Sequence, residues 1–412
     1  MQEPATTEPT TSSRTASDEE RSFRDRVRAF LVTHAKRRAE MTDTPMLDDR
    51  DVAIAFQAAL HDAGLAGLTV PTEYGGQGLT GQHLEWFNDE AAAYYLPIGI
   101  YTITIGMCVP VLLLHGTEEQ RLAHIPNMLQ GHEIWCQMFS EPNAGSDVAA
   151  AQTRAERDGD EWVLTGQKVW TSGAHYARFG MCIARTDPDV PKHRGLSMFI
   201  VPMDAPGITV RPLVQATGDA GFNEVFCDEV RFPSTNLIGD LGRGWYVTLS
   251  MLMNERVALG ASGNSLVSGR TEVVIDAARQ LGRTHDPLVR QALADLYTRE
   301  EIQRYLALRV RAAQQAGRAP GPEGSVAKLA GSELVRRAAS VHLELFGPGG
   351  TAWLPDADLP PKAARTFVFA PSFSIAGGTS EVQRNILGER VLGLPKEPDV
   401  DKDVPFRLVL KN

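Results

Sequence analysis

Apolar residues recur at helical spacing from Phe23 onward, with Val27, Phe30 and Leu31 on one face. The helical pattern continues to about residue 133, interrupted by the loop Pro71-Thr72-Glu73-Tyr74-Gly75-Gly76. The texture then changes. Trp162-Val163-Leu164, Met181-Cys182-Ile183, Ser197-Met198-Phe199-Ile200-Val201, Ile208-Thr209-Val210 and Glu224-Val225-Phe226-Cys227 read as short strands. Turn clusters such as Asp158-Gly159-Asp160 and Asp204-Ala205-Pro206-Gly207 separate them. Strands at that spacing predict a small antiparallel barrel or sandwich. Helical spacing returns after residue 243, in Leu293, Leu296, Tyr297, Ile302, Tyr305 and Leu306 and again in Val326, Leu329, Ala330 and Val341. The run Gly317-Arg318-Ala319-Pro320-Gly321-Pro322 between those two sets reads as a linker. The order predicts a mainly α frame with an inserted β domain. Its parts are an N-terminal helical domain (21–133), a β domain (134–243) and a C-terminal helical bundle (244–396), with a flexible tail over 1–20 and a second tail over 397–412.

Residues 91–114 carry no charge and are long enough to span a bilayer. Pro97, Gly99, Gly106 and Pro110 cut the run into shorter pieces, and no basic cluster flanks it. Buried helices are therefore expected there, with no membrane span. The 412 residues are 43% hydrophobic and 22% charged, which excludes wholesale disorder. The formal net charge is -10 and no Lys/Arg-rich run occurs, so no nucleic-acid surface is expected. Cys108, Cys136, Cys182 and Cys227 lie far apart in apolar surroundings. With no CxxC pair and no basic-then-apolar start, the expectation is a reduced, cytoplasmic protein without a structural metal.

Five segments carry candidate chemistry. The run from Gln137 and Phe139 through Ser140-Glu141-Pro142-Asn143-Ala144-Gly145-Ser146-Asp147 makes a turn with free N–H groups and hydroxyl donors. It could grip an anion or a polar ring, or simply connect two zones. In Gly166-Gln167-Lys168-Val169-Trp170-Thr171-Ser172-Gly173, beside a glycine turn, Trp170 could stack on a flat cofactor or fill the core. The glycines of Phe346-Gly347-Pro348-Gly349-Gly350 read as a helix stop or as close backbone approach to a phosphate. Gly377-Gly378-Thr379-Ser380-Glu381 reads as a capped helix N-terminus, where N–H groups and the helix dipole favour an anion. Finally, Glu255 on a helix has Met251, Leu252, Ala258 and Leu259 as its near neighbours. A carboxylate so placed holds its proton more tightly, as a general base needs; it could equally pair with a distant cation.

Together, in this order, these segments resemble the acyl-CoA dehydrogenase family of flavoproteins over about Ser22 to Pro395. Val70 to Gly78 is similar to the family's N-terminal loop, and Ser140 to Asp147 with Lys168 to Gly173 to its most specific signature. Gly377 to Arg384 with Glu389-Arg390-Val391-Leu392-Gly393 is similar to its C-terminal signature. The resemblance implies FAD held between the β domain and the helical domains. Gln137, Phe139, Ser140, Trp170 and Ser172 would line the isoalloxazine ring and its N5 edge, Gly145 and Thr171 would be further cofactor contacts, and Ser146 would lie near the pyrophosphate and the CoA arm. Thr379 and Glu381 would be further flavin contacts, and Gly347, Gly349 and Gly350 would reach the flavin of a neighbouring subunit. An oligomer follows, usually a tetramer built as a dimer of dimers, with an electron-transfer flavoprotein as redox partner. The implied reaction converts an acyl-CoA to a 2,3-enoyl-CoA, with a carboxylate taking the α-proton and the β-hydrogen leaving as hydride to flavin N5. A ribityl hydroxyl and a backbone N–H polarise the carbonyl.

This chain departs from the family at the base. Many members carry a Glu where Gly377 stands, and a minority place it on a C-terminal-domain helix, which Glu255-Arg256 matches. Glu255 is therefore the expected base, with Gly377 offering its N–H to the thioester carbonyl and Arg256 on the substrate side. Glu344 replaces a common Gln near the pyrophosphate, and the segment from Arg279 to His285 is shorter than usual. Alternative readings are a flavin oxidase or monooxygenase on the same fold, or one subunit of a heteromeric dehydrogenase.

Overall fold

The computed structural model describes residues 17–41, 49–261, 271–315, 322–351, 361–398 and 401–409. Helix α1 (Asp18–His34) begins at Ser17, whose hydroxyl accepts the Glu20 N–H at 3.1 Å, and Asp18, Glu19 and Glu20 oppose the dipole in its first turn. Its buried residues are Phe23, Val27, Phe30 and Leu31, the stripe read from the sequence. They pack with Phe56 and Leu60 of α2 (Arg50–Asp62) and Phe87 of α3 (Gly81–Ala91). A two-residue ladder joins β1 (Lys36–Arg37) to β2 (Tyr94–Tyr95). Short helical turns follow, then α4 (Val109–His115) and α5 (Glu118–Gln130). The uncharged run is thus broken into pieces, and among the described residues no helix is long and apolar enough to cross a membrane.

The middle of the chain forms one eight-stranded sheet: β3 (Trp135–Met138), β4 (Arg154–Asp158), β5 (Glu161–Ser172), β6 (Phe179–Arg185), β7 (Leu196–Pro202), β8 (Ile208–Leu213), β9 (Phe222–Pro233) and β10 (Leu237–Ile238). The path runs β10-β7-β6-β4-β5-β9-β8, mostly antiparallel, while β3 joins β6 in parallel. Strands β6 and β7 are buried almost throughout, which is why they read as unbroken apolar runs. The glycine turn beside Trp170 is at Gly173, with φ of 67°, while Gly166 lies within β5, where a Cβ would meet the Thr153 hydroxyl oxygen at 2.4 Å.

The C-terminal part comprises α6 (Gly244–Ala261), α7 (Thr271–Gln280), α8 (Pro287–Gln315), α9 (Glu323–Leu345), α10 (Pro361–Phe369) and α11 (Ser380–Arg390). Val274, Ala278, Leu296, Leu334, Ala338 and Val341 form its core. The apolar set on α8 divides. Leu296 is buried, whereas Tyr297, Ile302 and Tyr305 are exposed. The linker expected at 317–322 lies mostly outside the described residues, as does the flexible tail expected over 1–20 up to residue 16, whereas Asp18, Glu19 and Glu20 belong to α1 and not to a tail.

The largest core cluster spans all three parts. Leu112 and Ile125 from the first helices meet Met181, Ile183 and Ile200 of the sheet and Val247 and Met251 of α6, with Phe139 among them. The segment called a C-terminal tail is docked on the sheet domain. Phe406 is buried, its N–H donates to the Val190 carbonyl at 2.9 Å, and the Arg185 guanidinium sits 3.7 Å from its ring centroid.

Candidate active site at the edge of the sheet

Two buried cations shape the first candidate segment. Lys168 is fully buried in β5, and its ammonium donates to Glu141 Oε1 at 2.7 Å, the Ile183 carbonyl at 2.7 Å and the Phe139 carbonyl at 3.2 Å. Glu141 also accepts the Gln152 N–H at 2.6 Å and the Thr153 N–H at 3.0 Å. Burial alone would raise the Glu141 pKa. The adjacent Lys168 charge and these hydrogen bonds outweigh it and hold the carboxyl below its ordinary value. Arg185 donates to the Ala149 carbonyl at 2.6 Å, the Ala151 carbonyl at 3.1 Å and the Lys192 carbonyl at 2.6 Å. Burial pulls its pKa down to about 10. Segment 139–153 is thus pinned at both ends, while Gly145 and Ser146 between them are exposed.

The register of β5 against β9 shifts between Lys168 and Thr171. The residues inside that bulge have separate uses. Val169 donates its N–H to the Ser140 carbonyl at 2.9 Å, tying the two signature segments together. Trp170 takes a left-handed backbone with φ of 59° and turns its ring outward, 60% exposed. Bulges re-aim side chains in this way, and a bulky residue in that region carries strain. The core reading of Trp170 is therefore excluded. Next to it, Thr171 is fully buried with a hydroxyl that has no hydrogen-bond partner, and Ser172 is half-buried. The Asn223 side-chain amide holds the Thr171 carbonyl at 2.9 Å. Gln137 and Ser140 are half-buried beside this edge and Phe139 is in the core.

The Gly377 segment follows α10. Gly377 and Gly378 have φ of 67° and 89°, a backbone that side chains rarely adopt. A Cβ on Gly378 would meet Gln383 Nε2 at 2.6 Å. Gln383 donates to the Gly377 carbonyl at 3.0 Å and Lys328 of α9 donates to the Gly378 carbonyl at 2.6 Å. Thr379 is the N-cap, accepting the Val382 N–H at 3.2 Å, and Glu381 is exposed in the first turn. The third segment, containing Gly347, Gly349 and Gly350, lies beyond the other end of α9. It is about 26 Å from Lys328 at roughly 1.5 Å rise per residue. Gly350 has a packing reason, since a Cβ would meet the Leu343 carbonyl oxygen at 2.6 Å, whereas the Cβ position at Gly347 is open. Glu344 is exposed there, and Arg283 donates to the carbonyls of Glu344 and Leu345 at 3.2 and 3.0 Å.

Glu255 and Arg256 lie on α6, but their side chains are outside the described residues. In sequence, Glu255 stands four residues, about one helical turn, beyond Met251, which with Val247 belongs to the core cluster of Phe139 and Ile183. Sequence reasoning missed Arg185 and the Lys168–Glu141 pair. The available signal was a cation inside an otherwise apolar strand.

Family models cover nearly the whole chain: "Acyl-CoA dehydrogenase, N-terminal domain" over 17–132, "middle domain" over 136–232 and "C-terminal domain" over 242–392. The chain belongs to the acyl-CoA dehydrogenase family. It is 38% identical over 347 residues to acyl-CoA dehydrogenase IpdE1 of Mycobacterium tuberculosis, covering 83% of this chain and 88% of that protein. Among solved structures, the Tcur3481-Tcur3483 steroid ACAD matches with a TM-score of 0.77 at 29% identity, over 93% of this chain and 99% of that one. The ChsE4-ChsE5 complex from Mycobacterium tuberculosis matches with a TM-score of 0.73 at 29% identity, over 93% and 100%. Membership makes the protein an FAD-dependent oxidoreductase of acyl-CoA dehydrogenation. The residues present fit that cofactor: an exposed Trp170 ring offers a stacking face, and the orphaned Thr171 hydroxyl beside it lacks the partner a polar ring edge would supply.

Proposed function

We propose that the chain oxidises an acyl-CoA to its 2,3-enoyl-CoA, with Glu255 as the base. The observation that carries this reading is the bulge at Lys168–Thr171, which presents Trp170 outward while the buried Lys168–Glu141 pair holds the Ser140 segment beside it. In this reading Trp170 stacks on the cofactor ring, while Thr171 and Ser172 bond its edge. Gln137, Phe139, Ser140 and Gly145 complete that wall, and Ser146, exposed at the turn, meets the pyrophosphate and the CoA arm. FAD, when bound, supplies the hydride acceptor. Glu255 removes the α-proton, and α6, rooted in the core through Val247 and Met251, fixes its position. With no side chain at Gly377, the base cannot come from there. The Gly377 N–H hydrogen-bonds the thioester carbonyl, stabilising charge as the α-proton leaves. Arg256 lies on the substrate side, Thr379 and Glu381 complete the cofactor contacts, and electrons pass to an electron-transfer flavoprotein.

A second reading concerns assembly. The Gly347–Gly350 turn and the Gly378 turn sit at opposite ends of α9, so the former serves a neighbouring subunit's cofactor. The exposed face of α8, with Tyr297, Ile302 and Tyr305, suits an oligomer. Glu344 beside that turn repels a pyrophosphate, and Arg283 is engaged on the α9 carbonyls. These features favour pairing with a different subunit, as in the complexes named above. The test is anaerobic mixing with short, branched, long and polycyclic acyl-CoAs, for the chain alone and with candidate partners. Bleaching of the bound flavin supports dehydrogenation. Its absence with every acyl-CoA and partner refutes the reading, and rapid oxygen consumption points to an oxidase. One FAD per two chains, with two chain types in the oligomer, supports the heteromer.

A further inference from the structure

Two sides of the proposed cofactor cleft are joined by one side-chain pair. On the sheet side, Trp170 meets the Phe222 ring edge-on at 6.1 Å between centroids, and the Gly173 N–H donates to the Gly221 carbonyl at 3.1 Å. The bulged edge is therefore coupled to the β8–β9 turn. At the tip of that turn lies Asp219, whose carboxylate accepts the Thr217 hydroxyl at 2.7 Å and whose carbonyl accepts the Gln215 N–H at 2.8 Å. On the bundle side, α10 runs directly into the turn at 370–374 and then into Gly377 and Gly378. That stretch is bound to α9, where the Ser332 hydroxyl donates to the Phe373 carbonyl at 2.7 Å and Lys328 to the Gly378 carbonyl.

Arg365 of α10 closes the circuit. Its Nε donates to Asp219 Oδ2 at 3.2 Å and its Nη2 to Oδ1, a two-point contact between residues 146 apart in the chain. Asp219 is largely covered in this contact. Among the described residues it is the one ion pair that joins the sheet domain to the C-terminal bundle. We propose that Arg365 and Asp219 are positioning residues, a clamp that sets the Gly377 turn relative to the Trp170 edge. This rests on the flavin reading only for its functional consequence; the clamp itself is a statement about the bare chain. A planar, two-point contact fixes angle as well as distance, which a single ammonium contact does not.

The test uses Arg365→Ala, Asp219→Ala, Arg365→Lys and the exchanged double variant Arg365→Asp/Asp219→Arg in the full chain. Hydrogen exchange of the flavin-free protein is read at the amides of 171–173, 219–223 and 377–383. Each alanine variant is expected to exchange on the order of tenfold faster on both sides of the cleft, the lysine variant to lie between, and the exchanged pair to recover part of the protection. FAD dissociation from the loaded protein is expected to quicken in the same order, with kcat falling more than KM rises. Wild-type exchange at either 171–173 or 377–383 in folded Arg365→Ala and Arg365→Lys overturns the clamp, as does loosening confined to α10. If the wild-type chain holds no FAD, alone or with any candidate partner subunit, while the variants still loosen both segments, the clamp stands and the flavin reading falls.

Discussion

Lys168→Met tests the centre of the site, because the variant keeps most of the side-chain volume and removes the charge together with its three hydrogen bonds. In the wild type the ammonium is fully buried and its acceptors are the Glu141 carboxylate and two carbonyls. Its loss leaves Glu141 buried with only the Gln152 and Thr153 N–H groups. Breaking a buried pair from one side costs about 3–5 kcal/mol. The sign of the pH dependence also changes. In the wild type the Glu141 pKa is depressed, so its contribution is present above the unfolded value near 4.5 and is lost as pH falls through the folded value. In the variant desolvation dominates and the folded pKa rises above the unfolded one. Stability then falls as pH rises from about 4.5 towards neutrality. Denaturant unfolding of the flavin-free proteins at several pH values, followed by circular dichroism, measures both effects. Because Lys168 also fixes the Ser140 segment against the bulge, FAD retention is expected to drop as well. A variant within about 1 kcal/mol of wild type at pH 7, with the same pH slope, would refute the account of the pair.

Other perturbations separate chemistry from scaffold. Glu255→Gln is expected to keep FAD and melt normally but to show no bleaching by acyl-CoA in anaerobic spectra; bleaching at the wild-type rate sinks the base assignment. Trp170→Gly relieves a left-handed backbone, worth about 1 kcal/mol, against about 0.5–1 kcal/mol of glycine entropy. Thermal melts of the flavin-free protein should therefore barely move while FAD dissociates faster. Gly244→Ala drives a Cβ to within 2.5 Å of the Ser197 backbone, where nothing flexible can yield. It should cost about 1–3 kcal/mol in denaturant unfolding by displacing the start of α6. Unchanged stability would mean that α6 is not seated tightly on β7.

What the sequence revealed follows from how far each physical cause reaches along the chain. The stripe Phe23, Val27, Phe30 and Leu31 was legible because helical burial is decided within two turns, and all four residues are buried on α1. The buried strands β6 and β7 were legible as apolar runs. Motifs 140–147 and 377–384 were legible as segments, but their fastening was not. Lys168 and Glu141 are 27 residues apart and belong to different motifs, and only the fold brings them to 2.7 Å. The outward turn of Trp170 depends on the register of β5 against β9, set by a strand more than 50 residues later. No local pattern encodes that register, so the neighbours of Trp170 left both a stacking and a core reading open. The docked segment around Phe406 was hidden for the same reason, because its contacts are a buried guanidinium from β6 and the backbone of residues 188–191, more than 200 residues earlier. The fastening of the motifs and the docking of Phe406 both centre on a cation inside the sheet. A Lys or Arg within an apolar strand of this length has to find oxygen acceptors or be expelled to solvent. Lys168 and Arg185 find most of theirs on the irregular 139–151 segment, with the Ile183 and Lys192 carbonyls supplying the rest, and so the charge that would otherwise destabilise the strand becomes the anchor of the loop that carries Ser140 and Ser146.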